Sequence, residues 1–126
     1  MRYLISAMLV VVAIIHLLPL PGVLGSERLA ALYGLSFDDP NLQILMRHRA
    51  VLFGLLGVFI LIAAFRPSWQ PLAIAAGFVS VVSFLALVWS VGGHNPQVGR
   101  VFTVDVVALV CLVVATVALI YKRRGG

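Results

Sequence analysis

Few residues in this chain can do chemistry, and most of them cluster at the ends of apolar runs. His16 closes the first run, Met46-Arg47-His48-Arg49 opens the second, and Asp105 opens the last. Imidazole moves a proton or accepts a hydrogen bond near neutral pH. Guanidinium groups present a fork to carboxylate or phosphate, and a carboxylate balances either cation. Trp89 and His94 precede the last run and Tyr33 lies between the first two, so all three belong at the same end. Together, His16, Tyr33, Arg47, His48, Arg49, Trp89, His94 and Asp105 read as the lining of a site for a small apolar or anionic molecule.

Sharper chemistry finds no support in the spacing. His16 and His48 could ligate a haem between two helices, but no second histidine pair and no CxxCH accompanies them. Met46, His48, His94 and Cys111 lack the ligand spacing of a metal box, so neither a metal nor another cofactor is expected. Small multidrug transporters share this length, but their acidic residue belongs in the first helix, where this chain has His16. No phosphate loop, nucleophile–base pair or serine elbow is present. The one catalytic reading left is a membrane-embedded acid–base pair of His16 and Asp105. It ranks below the binding reading, so an enzyme is not the first expectation.

The elements that must position these residues follow from composition. Of 126 residues, 63% are hydrophobic and 10% charged, against roughly 45–50% and about 25% in soluble domains. Mean hydropathy is +1.15. So few charges cannot cover a soluble domain of this size, and disorder needs the opposite composition. The chain is therefore read as an integral membrane protein. The net charge of +5 does not point to nucleic acid, because the only basic run, Lys122-Arg123-Arg124, follows an apolar segment and suits anionic lipid.

Residues 3–26, 50–65, 67–99 and 106–121 contain no Asp, Glu, Lys or Arg. A bilayer core takes about 20 helical residues. Spans are expected near 3–20, 42–65, 71–91 and 102–121, in one domain covering 1–126. The fold class is an all-α, four-helix transmembrane bundle. Ser26 followed by Glu27 to Tyr33 and then Gly34 predicts a short amphipathic helix on the outer surface, packing Leu29 and Leu32 inward. Asp39-Pro40 is an N-cap with proline at the first helical position. The first run is too long for a secretory signal and lacks a cleavage site.

With the N-terminus inside, Arg2, Arg66, Lys122, Arg123 and Arg124 face the cytoplasm unopposed by acid. Tyr3, Trp69 and Tyr121 flank them as interfacial aromatics do. The expectation is a multi-pass protein of the inner (plasma) membrane with both termini cytoplasmic.

Helices in lipid pack through small residues. Ala108, Cys111, Ala115 and Ala118 hold one face of the last helix, and stepping back three reaches Asp105. Ala50, Gly54, Gly57, Leu61 and Ala64 do the same for the second, and stepping back reaches Arg47. The third offers Ala73, Ala76, Ser80 and Ser83, and the first Ser6, Ala13 and His16. Arg49 precedes Arg66 by 17 residues and Asp105 precedes Lys122 by 17, which places them at one depth. Asp105 is thus expected to pair with Arg49 or Arg47. An unpaired charge at that depth costs ~2.5–3.5 kcal/mol.

Three stretches also carry a resemblance: Ile15-His16-Leu17-Leu18-Pro19-Leu20-Pro21-Gly22, Leu32-Tyr33-Gly34-Leu35, and Met46-Arg47-His48-Arg49-Ala50-Val51-Leu52-Phe53-Gly54. With Gly77-Phe78-Val79-Ser80 and Asp105 at the head of the last helix, the chain resembles a family of uncharacterised small bacterial membrane proteins, DoxX-like in layout. The resemblance implies the four-helix fold and no activity. Some members carry the label phosphopantetheine adenylyltransferase, which suits a soluble nucleotide-binding α/β enzyme and not this composition. The leading function is binding or translocation of a small apolar or anionic molecule through a pocket open to the outer side. The alternative is a non-catalytic accessory subunit or assembly factor in a larger membrane complex. Membrane lipid, such a ligand, and a second copy or another membrane protein are the partners expected.

Overall fold

The computed structural model describes residues 2–19, 30, 31, 33, 34, 39–93 and 95–125, and among them it is helical with no strand. Helix α1 runs Arg2–Leu17, α2 Pro40–Ala64, α3 Gln70–Val91 and α4 Pro96–Arg124; a 3-10 turn, Pro67–Trp69, joins α2 to α3. Three segments, Pro40–Ala64, Pro67–Val91 and Pro96–Arg124, are long and apolar enough to cross a membrane. At 16 residues, α1 is shorter, about 24 Å at 1.5 Å per residue. The expected span runs to residue 20; Leu18 and Pro19 form a turn instead, and residue 20 lies outside those described.

Two helices start alike. Asp39 accepts the Asn41 N–H at 2.9 Å before Pro40, and Asn95 accepts the Val98 N–H at 2.8 Å before Pro96. Each cap satisfies an amide that the first turn would leave open, while proline has none to lose. The second cap starts α4 well before position 102, which adds Gln97 and Arg100 to the helix.

The helices stand in the order α1–α2–α3–α4 around the bundle. The closest contacts are those of α1 with α2 and with α4, and the loosest of the neighbouring pairs is α2 with α3. Small residues make the close approach possible. Ala50, Gly54, Gly57, Ala63 and Ala64 are buried on α2, and Ala108, Cys111, Ala115 and Ala118 on α4. A Cβ on Gly57 would stand 2.8 Å from Leu17 Cγ and 3.2 Å from the Ala13 carbonyl oxygen. The middle of the bundle is filled by Leu9, Val12, Ile60, Val81 and Leu112, all fully buried. Leucines, valines and isoleucines on the opposite faces are exposed along every helix, the pattern of helices solvated by lipid.

At one end the Ser6 hydroxyl and Gln70 Nε2 both donate to the Ala64 carbonyl. These bonds tie α1 and α3 to the end of α2, near Arg2 and Arg66. Leu4 and Tyr121 line one groove, so the end of α4 with Lys122, Arg123 and Arg124 lies there too.

The outer amphipathic helix expected over 27–33 falls largely outside the described residues, Leu29 and Leu32 included. What is described is one helical turn at Ala30, Ala31 and Tyr33, closed by the Gly34 N–H on the Ala30 carbonyl at 2.7 Å. Gly34 has φ +67°, and a Cβ there would strike the Gln97 side chain. Glycine lets this turn dock on α4, where Asn95 Nδ2 donates to the Tyr33 carbonyl at 2.7 Å.

Candidate functional site

The end of the bundle opposite Arg66 holds a cavity of about 200 Å³. Its walls come from the end of α1, the Tyr33 turn, the middle of α2 and the start of α4. Ile15, Leu18, Phe53, Val101 and Val104 supply apolar surface, and His16, Tyr33, Arg49, Gln97, Arg100 and Asp105 supply polar groups.

His16 is the floor. It is 2% exposed, and both ring nitrogens are engaged. Nδ1 lies 2.9 Å from the Val12 carbonyl oxygen, one turn back, and Nε2 lies 3.0 Å from Ser80 Oγ on α3. A carbonyl only accepts, so Nδ1 carries the hydrogen and the Ser80 hydroxyl donates to Nε2. That bond crosses the bundle diagonal between α1 and α3. With neither nitrogen open to a ligand, His16 acts as a bolt between helices; a general base would need one lone pair facing the cavity.

Arg49 is the wall. Its guanidinium carbon stands 4.4 Å from the centre of the Phe53 ring, 5.3 Å from Tyr33 and 6.0 Å from Phe84, and Nη1 donates to the Tyr33 hydroxyl. Ring faces attract cations, by up to about 2 kcal/mol when desolvated. Three rings and a hydroxyl thus hold a charge in place where lipid would reject it.

Asp105, 9% exposed, shares the cavity. Arg49 lines the same cavity, whereas Arg47 lines a separate groove. Among the described residues no ion pair within 4 Å joins Asp105 to Arg49, so the attraction works at longer range than the direct contact expected from their equal depth.

The structure therefore brings together His16, Tyr33, Arg49 and Asp105 and leaves other expected residues aside. Arg47 is exposed and lines a separate groove with Pro40, Gln43 and Ile44. His48 is exposed, and Trp89 is 87% exposed on the flank of α3; neither lines the cavity. His94 lies outside the described residues. Register separates the two arginines that the sequence left open: Ala50, Gly54 and Gly57 are buried along the contact line of α2, and Arg49, one residue before Ala50, lines the cavity.

Gln97, Arg100, Phe53 and Ser80 are additions. Gln97 and Arg100 were findable, because Asn95-Pro96 repeats the Asp39-Pro40 signal and extends α4 back to them. Among the described residues no group of three His, Cys, Asp or Glu side chains could hold a metal ion. Comparison with protein-family models, curated proteins and solved structures finds no match.

Proposed function

We propose that this chain is a multi-pass protein of the bacterial inner membrane, crossing four times with both termini cytoplasmic. At its outer end it binds a small monoanionic molecule with an apolar body. The orientation is supported by Arg2, Arg66, Lys122, Arg123 and Arg124, which gather at the end away from the cavity with no acidic partner beside them. The fourth crossing uses α1, whose length falls short of a full span, so the Leu18-Pro19 turn would sit inside the outer leaflet, where both residues line the cavity.

The observation that carries the binding role is Arg49. It stands at membrane depth, held by aromatic faces and Tyr33, with no carboxylate in direct contact among the described residues. Charges kept on an inward membrane face are functional by default. Arg49 and Arg100 against Asp105 leave one positive charge on the cavity wall, which selects a single negative charge, while Phe53, Val101 and Val104 select an apolar body.

Purified protein in neutral phosphatidylcholine nanodiscs, titrated with benzoate and with benzylammonium, tests the reading. Benzoate should stabilise against unfolding by ~2.7 kcal/mol at a hundredfold excess over its Kd. Benzylammonium should not, and Arg49→Gln should abolish the effect. Equal action by the two ions, or no stabilisation by benzoate, overturns the reading.

A further inference from the structure

Tyr33 and Arg49 line a second hollow as well as the first. This groove, about 530 Å³, lies between α2, the last turns of α3 and the start of α4. Its surface is apolar, from Met46, Phe84, Leu87, Val88 and Val91. Leu87 is 62% exposed and Val91 80%, so the groove opens sideways, where the bundle faces hydrocarbon. It runs along the loosest of the neighbouring helix contacts, α2 with α3. Gly92 and Gly93 close α3 with no side chain to block its end, and a Cβ at either would meet nothing within 4 Å.

Groove and cavity share Tyr33 and Arg49. Phe53 belongs to the cavity, Phe84 belongs to the groove, and the Arg49 guanidinium carbon lies 4.4 Å from the first ring and 6.0 Å from the second while bonded to Tyr33. A cavity that carries Arg100 and Asp105 and a groove walled mainly by apolar side chains thus meet at Arg49 and Tyr33.

We infer that the ligand is a single-chain amphiphile bearing one carboxylate. Its head occupies the cavity and its chain lies in the α2–α3 groove, having passed the Arg49–Tyr33 pair from the outer leaflet. The inference rests on the binding role proposed above and adds the ligand class and the route. A carboxylate matches the planar fork of Arg49. The net single positive charge of the cavity asks for one negative charge. The small volume of the cavity limits the head, while the groove offers one continuous apolar path for one chain. Burying that chain against protein gains packing without a hydrophobic penalty on leaving the bilayer, since lipid tails and the groove are equally apolar. The head therefore supplies the selectivity.

The test is photolabelling with a hexadecanoate that carries a diazirine near its chain end, in phosphatidylcholine nanodiscs. Adducts should concentrate on residues 84–91 of α3 and fall at least tenfold with excess unlabelled hexadecanoate or with Arg49→Gln. The matching hexadecanol probe, lacking the carboxylate, should label lipid-facing residues of all helices evenly. Leu87→Trp, at a position open to lipid and tolerant of bulk, should narrow the groove. It should cut labelling about fivefold while leaving stabilisation by benzoate unchanged. Even labelling with hexadecanoate overturns the inference, as does indifference to Arg49→Gln or Leu87→Trp, or preferential recovery of bound phosphatidylglycerol from cell membranes. If benzoate still stabilises in those cases, the binding role stands and only the ligand class and route fall; if benzoate fails too, both fall.

Discussion

Ser80→Ala removes one hydroxyl, and the structure sets what that should do. The Ser80 hydroxyl donates to His16 Nε2 at 3.0 Å, on a ring that is 2% exposed. Interhelical hydrogen bonds in membranes average ~0.6 kcal/mol and reach about 1.7. Here the higher figure applies, because the stripped Nε2 acceptor has no water to turn to, and an unmet buried acceptor costs ~1–3 kcal/mol. Nδ1 cannot compensate, being committed to the Val12 carbonyl at 2.9 Å. We expect Ser80→Ala to lower stability by ~1.5 kcal/mol. His16→Leu removes ring and acceptor together, so Ser80→Ala added to His16→Leu should do little more. The coupling in that double-mutant cycle should be near 1 kcal/mol. Unfolding in mixed micelles of dodecyl sulfate and dodecyl maltoside measures all four proteins. Nitrogen-15 NMR of the imidazole should show hydrogen on Nδ1 and an accepting Nε2. Additive single effects, or a proton on Nε2 at neutral pH, would refute the bolt and free His16 for chemistry in the cavity.

Three further outcomes are expected. Gly57→Ala must displace Leu17 and press on the Ala13 carbonyl, whereas Gly77→Ala meets only the end of Leu112 at 3.0 Å; unfolding should show Gly57→Ala destabilised by about 1–3 kcal/mol and Gly77→Ala by clearly less. Asp105→Asn loses the attraction of Arg49 but also removes a carboxylate that costs ~2.5–3.5 kcal/mol at membrane depth. Its stability in the same assay should change by under about 1 kcal/mol, and a loss of 3–5 would reveal a direct ion pair. In a Cys111→Ala background, a cysteine at Gly125 should be shielded from an impermeant maleimide in intact cells and one at Asp39 should react, as the positive-inside orientation requires.

How much of this was legible in the sequence divides along physical lines. The small-residue face of α4 could be read directly, since Ala108, Cys111, Ala115 and Ala118 recur at helical spacing and all are buried. So could the apolar, helical, membrane-suited character of the chain, which follows from composition. On α3 the same rule placed Ser83 inward, yet it is exposed while Ile74, Gly77 and Val81 are buried. Small size marks a residue that permits close packing and does not require it. Stepping back along one row of α2 reached Arg47 and left the choice between it and Arg49 open, because the wall of a cavity lies beside a contact row and not on it. Depth, counted from Arg66, pointed to Arg49 and is insensitive to that ambiguity. The aromatic setting of Arg49 was not legible, because Tyr33, Phe53 and Phe84 come from three segments and meet only in three dimensions.

The same packing bears on whether a ligand could pass through the bundle. Below His16 the bundle is closed by Leu9, Val12, Ile60, Val81 and Leu112, each with no exposed surface. Interiors packed to this degree have few voids, and parting these side chains would expose cavity surface on four helices at once. Beyond them, Ser6 and Gln70 bind the Ala64 carbonyl and draw α1, α2 and α3 together. The bolt from His16 to Ser80 sits above this plug and resists the separation of α1 from α3 that a through-path would need. Where the bundle can give is the contact of α2 with α3, beside Arg49. A ligand entering there leaves the plug intact, so the architecture favours capture and release on one side of the membrane over transfer across it.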